Sequence, residues 1–330
     1  MTCPRTRRVA GRVARTGARA VRAGVAAGLT ELLPRTPDLG DLPEGEVLEL
    51  PGRGRTFVVD VPGPTPYSPT VMLLHGLSCT AYLGWAAAID ALSQHYRVVT
   101  FDQRWHGRGI RSTHFRIADC ADDVAAVLDV LEIDQAVVAG YSMGGAIAQE
   151  TWHRHPDRVA GLVLCSTSCM WRDHLGEHLF FPMVSVAMHP LSAYALAKVE
   201  AHAALLPDSP VLDVSNPHRW SAGEFRSTSL WSLPAVLADL GRFDSRRWLG
   251  DIDVPTSVVV TERDHAIPAA RQRALAEGIP GARTFHHDGG HASVFMDYAR
   301  WSPVFLEALG DTARRAYGPS LDVQHLRASG

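Results

Sequence analysis

Gly140-Tyr141-Ser142-Met143-Gly144, extended by Gly145, lies between an apolar run at 135–139 and a helical stretch at 144–155. The run reads as a strand covered on both faces, so the pentapeptide is a sharp strand-to-helix turn. Small residues two positions either side of the serine let strand and helix pass closely without a Cβ clash. Such a turn projects the Ser142 hydroxyl from the carboxyl edge of a sheet, beside a helix N-terminus whose dipole favours developing negative charge. A plain glycine-rich turn can have the same composition. The strand before it and the helix after it select the reactive reading.

Outward from that turn the chain alternates. Upstream, 70–74 is a short apolar run bounded by Pro69 and Gly76, followed by a helical stretch at 83–93, a β run at 96–101 and a helix at 118–131. Earlier still, Pro51-Gly52-Arg53-Gly54 between 47–50 and 55–61 predicts an entry hairpin. Downstream, 159–165 reads as a strand. The rhythm stops over 170–246, a segment containing Trp171, Phe180, Phe181, Met183, Trp220 and Trp231, which reads as a mostly helical insertion. It resumes with a strand at 256–261, a helix at 269–277, a strand at 283–286 and a final helix at 298–308. Alternation of this kind predicts an α/β fold, with a mostly parallel sheet carrying helices on both faces. The core therefore comprises 46–169 and 247–312, preceded by a basic arm and Pro-rich linker at 1–45 and followed by a tail at 313–330.

With 330 residues, 46% of them apolar, the chain can bury a large core. A net charge of −3 lacks the basic footprint of a nucleic-acid binder. Residues 1–22 carry seven arginines and no acid, and taking that +7 from −3 leaves −10 for the remainder. Six of those arginines step by three and four, which aligns them on one helical face. Residues 5–25 thus read either as a solvated arm or as a peripheral contact with an anionic membrane surface. Arg7-Arg8 is not followed by the long apolar run of an export signal, and no stretch is long enough to span a bilayer. Cys3, Cys79, Cys120, Cys165 and Cys169 are odd in number and scattered, which points to a reducing, cytoplasmic compartment. Cys165 and Cys169 have no second pair at zinc-finger spacing, so a metal is not expected.

A serine hydroxyl needs an adjacent base, and the chain offers sixteen histidines. His291 follows Gly289 and Gly290 in a loop after the last strand, where a side chain can reach back over the sheet edge. The imidazolium formed on proton abstraction needs a carboxylate. Asp264, just past the strand at 256–261 and shortly before Pro268, lies on the same edge as Ser142, and Glu262 is the alternative two residues earlier. The order Ser, Asp, His suits a strand-turn-helix nucleophile. For a developing oxyanion, Met143 N follows the nucleophile. Leu77 N, or its neighbour Ser78 N, follows His75 and Gly76 at the end of the first parallel strand. His75 reads as a loop brace.

Taken together, His75-Gly76, Asp102-Gln103-Arg104-Trp105-His106-Gly107-Arg108-Gly109, Gly140 to Gly145, Asp264 with Pro268, and Gly290-His291 resemble the α/β-hydrolase fold-1 family of esterases, lipases and related enzymes. The resemblance covers roughly 46–310. It implies an eight-stranded sheet, a helical cap at 170–246 between strands six and seven, no metal and no organic cofactor. It also implies hydrolysis of a hydrophobic carboxylic ester through an acyl-enzyme on Ser142. Thioesterase, lactonase, carbon-carbon bond hydrolase, acyltransferase and cofactor-free haloperoxidase activities use the same serine triad, whereas dehalogenases and epoxide hydrolases normally place Asp at the nucleophile. A ligand-binding, receptor-like relative is the non-enzymatic alternative. Trp105 stands where the family usually has Gly, and its bulk is expected to narrow or reshape the loop near the entrance.

Overall fold

The computed structural model describes residues 42–172, 192–206, 215–228 and 232–318. The arm residues 5–25, the linker up to residue 41, the tail beyond 318 and the insertion residues Phe180, Phe181, Met183 and Trp231 lie outside them. The strands are β1 (Glu46–Leu50), β2 (Gly54–Val61), β3 (Thr70–Leu74), β4 (Arg97–Phe101), β5 (Ala136–Tyr141), β6 (Val159–Cys165), β7 (Thr256–Thr261) and β8 (Arg283–His287). They form one eight-stranded sheet in the order β1-β2-β4-β3-β5-β6-β7-β8. β1 and β2 pair as the expected hairpin and β2 runs antiparallel to β4, while the remaining ladders are parallel.

The helices are α1 (Ala81–Ser93), α2 (Ile117–Val130), α3 (Met143–Arg154), α4 (Ser192–Ala203), α5 (Pro217–Ser227), α6 (Leu233–Leu240), α7 (Ala269–Gly278), α8 (Ser293–Met296) and α9 (Tyr298–Tyr317). Every residue of β3, β5 and β7 is buried, because helices cover both faces of the sheet. Alternate side chains divide between two cores, as a period of two requires. Val71, Leu73, Val137, Ala139, Val163 and Val259 pack with Trp85, Ile89, Trp301 and Phe305 of α1 and α9. Met72, Leu74, Val138, Leu162, Leu164 and Val258 pack with Val124, Ile147 and Leu275 of α2, α3 and α7. Leu73 and Leu74, fully buried on opposite faces, each stabilise the fold by about 1.5–3 kcal/mol.

The final helix runs nine residues further than the expected end at 308 and takes in part of the stretch read as tail. Gly310 resembles a stop signal, yet Trp301, Phe305, Ala308, Leu309, Thr312 and Ala313 form one buried stripe through it. That packing offsets the cost of about 1 kcal/mol of a glycine inside a helix. Among the described residues no helix is long and apolar enough to cross a membrane.

Among the described residues α4, α5 and α6 fall between β6 and β7. The chain leaves and re-enters the sheet layer side by side, because Met170 and Asp244 form an antiparallel bridge and Ser245 N donates to Cys169 O at 2.8 Å. Buried Gln149 of α3 secures that crossing. Its Oε1 accepts from Ser245 Oγ at 2.8 Å and its Nε2 donates to Ser168 O at 3.2 Å. A second attachment is the buried Glu224 of α5, which accepts from Thr80 Oγ1 at 2.5 Å and pairs with Arg108 at 3.2 Å. Arg108 in turn pairs with Asp102 at 3.1 Å, so this segment is tied to the loop after β4.

The chain places β3 between β4 and β5, so successive connections leave in opposite directions at that point. In open α/β sheets the crevice outside the carboxyl ends of such a pair is where ligands bind. Here those ends carry Gly76 and Leu77 on one side and Ser142 on the other.

Candidate active site

Ser142 links β5 to α3 with φ 54° and ψ −116°, in the half of the map that favours glycine. Such a conformation costs of order 1–3 kcal/mol and persists only where the surroundings impose it. Here Ser142 N donates to Cys165 O at 2.9 Å, and Ser142 O accepts from Gly145 N at 2.9 Å and from Thr167 Oγ1 at 2.8 Å. A Cβ on Gly140 would sit 2.6 Å from Gly145 N, and one on Gly144 would sit 2.8 Å from His75 O. Both glycines are therefore required by close backbone approach.

Three residues distant in sequence meet at this turn. His291 Nε2 lies 3.0 Å from Ser142 Oγ, and His291 Nδ1 lies 2.7 Å from Asp264 Oδ2. Asp264 Oδ1 accepts from Ala266 N and Ile267 N, both at 2.8 Å, in the turn that opens α7. The Asp264 side chain is fully buried while that of His291 is 30% exposed, which leaves the imidazole open to an entering molecule. Tyr141 Oη donates to His291 O and braces the loop from Gly289. Glu262, the alternative acid, turns elsewhere. It contacts His286 Nδ1 and accepts from Arg273, each at 2.8 Å on the surface.

The loop after β3 passes directly behind the serine, since a Cβ on Gly76 would lie 3.5 Å from Ser142 Cβ. Cys79 N closes a turn onto Gly76 O at 3.2 Å, and Ser78 has φ 62°. Leu77 therefore sits in the tight turn beside Ser142, and Met143 begins α3, where the first amides have no intrahelical acceptor. His75 is the brace expected from sequence. Its Nε2 accepts from Gln103 N at 3.0 Å, so Nδ1 carries the proton and donates to Gly76 O at 2.8 Å. Among the described residues no group of three or more His, Cys, Asp or Glu side chains is arranged to hold a metal.

Trp105 corrects one expectation. Its φ of 66° explains why glycine suits the position, but the ring is 6% exposed and packs in the core against Phe115 at 6.0 Å. Trp105 Nε1 donates to Ser112 O at 3.1 Å. The bulk goes inward rather than towards the entrance, because an indole with a satisfied N–H gains more from burial than from solvent.

Burial pulls His75 from the usual 6.5 down to about 4 and His106 down to about 3. Below pH 6.5 the unfolded chain takes up protons that these folded imidazoles refuse. Their stabilisation is thus complete above that pH and is lost as pH falls towards 4, by up to about 1.4 kcal/mol per pH unit for each. Urea midpoints should drop steeply between pH 6.5 and 4, and His106→Gln should flatten that drop. An equal slope in the variant would refute the assignment.

The family description "alpha/beta hydrolase fold" matches residues 69–187. Over 238 residues the chain is 30% identical to "Putative carbamate hydrolase RutD" of Agrobacterium fabrum, a match covering 68% of this chain and 87% of that protein. The chain belongs to the α/β-hydrolase family. This α/β hydrolase is also 27% identical over 255 residues to a poly(3-hydroxyalkanoate) depolymerase of Ectopseudomonas oleovorans, covering 76% of this chain and 88% of the relative. A crystal structure of the enol-lactonase from Burkholderia xenovorans shares the fold, with a TM-score of 0.63 and 22% identity over 80% of this chain and 99% of that one.

Sequence reasoning passed over several residues that shape this α/β-hydrolase site. Thr167 and Tyr141 hold the serine and histidine backbones, and Gln272 contacts Asp264. For Gln272 a signal existed. It shares the inward face of α7 with Ala269, Leu275 and Ala276, a polar residue within an otherwise apolar stripe.

Proposed function

We propose that this α/β hydrolase cleaves a carboxylic ester of a hydrophobic substrate through an acyl-enzyme on Ser142. The observation that carries the reading is the continuous relay Ser142 Oγ, His291 Nε2, His291 Nδ1, Asp264 Oδ2, with steps of 3.0 and 2.7 Å. In this scheme Ser142 Oγ attacks the carbonyl carbon as its proton passes to His291 Nε2, and Asp264 stabilises the imidazolium. The oxyanion develops towards the amides of Met143 and Leu77. Collapse breaks the bond to the leaving alkoxide, which takes the proton back from Nε2. Water, deprotonated by the same imidazole, then attacks the acyl carbon, and the bond to Ser142 Oγ breaks as Nε2 returns that proton to it, releasing the acid. The relative named a poly(3-hydroxyalkanoate) depolymerase supports an ester as the bond broken. The Trp and Met content of 170–246, the proposed cap, suits an apolar acyl group.

The name of the Agrobacterium relative favours a second reading, attack of the same serine on a carbamate carbonyl. A panel of p-nitrophenyl esters of graded acyl length, matched thioesters and a matched carbamate separates the two. The ester reading expects kcat/KM highest for esters and rising with acyl length from acetate. Turnover of the carbamate in preference to every ester would replace it. Failure of a fluorophosphonate to label Ser142 in folded protein would favour a binding protein instead.

A further inference from the structure

We propose that Gln272 is a positioning residue that sets the direction of the Asp264 carboxylate towards His291, an inference resting on the serine-relay reading above. Asp264 meets two different requirements with its two oxygens. Oδ1 is fixed by the amides of Ala266 and Ile267, whereas Oδ2 must lie in line with His291 Nδ1. The second protein group on Oδ2 among the described residues is Gln272 Nε2, at 3.2 Å.

Gln272 is itself fully buried and held at every polar atom. Its Oε1 accepts from Thr261 N, the last residue of β7, at 2.9 Å, and its Nε2 also donates to Ile267 O at 2.7 Å. Those partners dictate the amide orientation. Reversing it would set a carbonyl oxygen against the Ile267 carbonyl and the carboxylate, and an N–H against an N–H. The side chain thus references the carboxylate oxygen to the strand end instead of to the loop alone. A neutral amide suits the task, because it fixes Oδ2 without cancelling the charge that the imidazolium needs. A lysine or arginine there would cancel it.

The test is Gln272→Met, which keeps length but removes both donors, with kcat counted per active site titrated by fluorophosphonate. We expect kcat to fall about 10- to 100-fold, the effect of a small misplacement in a relay, with KM within about twofold. In an Asp264→Asn background the same substitution should change kcat by less than about twofold, since the carboxylate it positions is gone. Gln272→Asn keeps a neutral amide but draws it one methylene back from Oδ2, and is the variant read where the methionine protein does not refold, with the same fall in kcat expected. An unchanged kcat in the single variant, or an equal loss in both backgrounds, overturns the proposal. If Ser142→Ala keeps full turnover, the relay reading falls instead, so the two failures are distinguishable.

Discussion

Ser142→Ala is expected to lower kcat by about 10^6-fold, the loss that removing a serine nucleophile from an intact relay causes. The backbone should not register the change. Alanine keeps the Cβ that the φ of 54° already accommodates, and the bonds fixing the turn come from Ser142 N and O rather than from its hydroxyl. What disappears is the atom 3.0 Å from His291 Nε2. The melting temperature should therefore stay within about 2 °C, since a ΔΔG near zero moves it little, while fluorophosphonate labelling vanishes. An alanine variant retaining turnover within about tenfold of wild type would exclude the acyl-serine, whatever the substrate, because residual catalysis by positioning alone lies far lower.

Asp264→Asn is expected to cost about 10^4-fold in kcat, through the imidazole tautomer. The geometry forces the outcome. Ala266 N and Ile267 N both donate to the Oδ1 position at 2.8 Å, against the single longer donor Gln272 Nε2 on Oδ2, so the asparagine oxygen takes the Oδ1 place and its NH2 that of Oδ2. There it faces His291 Nδ1, which can only accept from it. The proton moves to Nε2, and Nε2 can no longer receive one from Ser142. Glu262→Gln is the matched control. Its partners are His286 and Arg273 on the surface, so kcat should stay within about twofold, as for exposed pairs of small net worth. Equal losses in the two variants would show that the acid had been misassigned.

Much of this was legible because local chemistry and global topology agree. The strand before Gly140, the glycines required by close approach and the run of buried residues in β3 and β5 all bear on one strand-to-helix turn, and each can be read from neighbours in sequence. His291 and Asp264 were reachable because loops at carboxyl strand ends share one edge of a parallel sheet. What stayed hidden depends on tertiary partners outside the local element. The inward turn of Trp105 is set by Phe115 and Ser112, the persistence of the last helix past Gly310 by the sheet beneath it, and the pairing of Glu224 with Arg108 by contacts over a hundred residues apart. Glu262 and Asp264 were separated only by the register at which β7 ends, a choice of two residues that propensity does not resolve.

The paired crossing at Met170 and Asp244 brings the two ends of the insertion together at one fixed point. Its two ends emerge adjacent and are fastened to α3 through Gln149, and Glu224 adds a second fixed point at Thr80 and Arg108. Lengthening such a closed excursion costs little, about 0.6 kcal/mol for each doubling. An exchange of lining that keeps Gln149's crossing, the Glu224 tie and the α6 residues packed in the core therefore leaves the serine, histidine and aspartate where they stand.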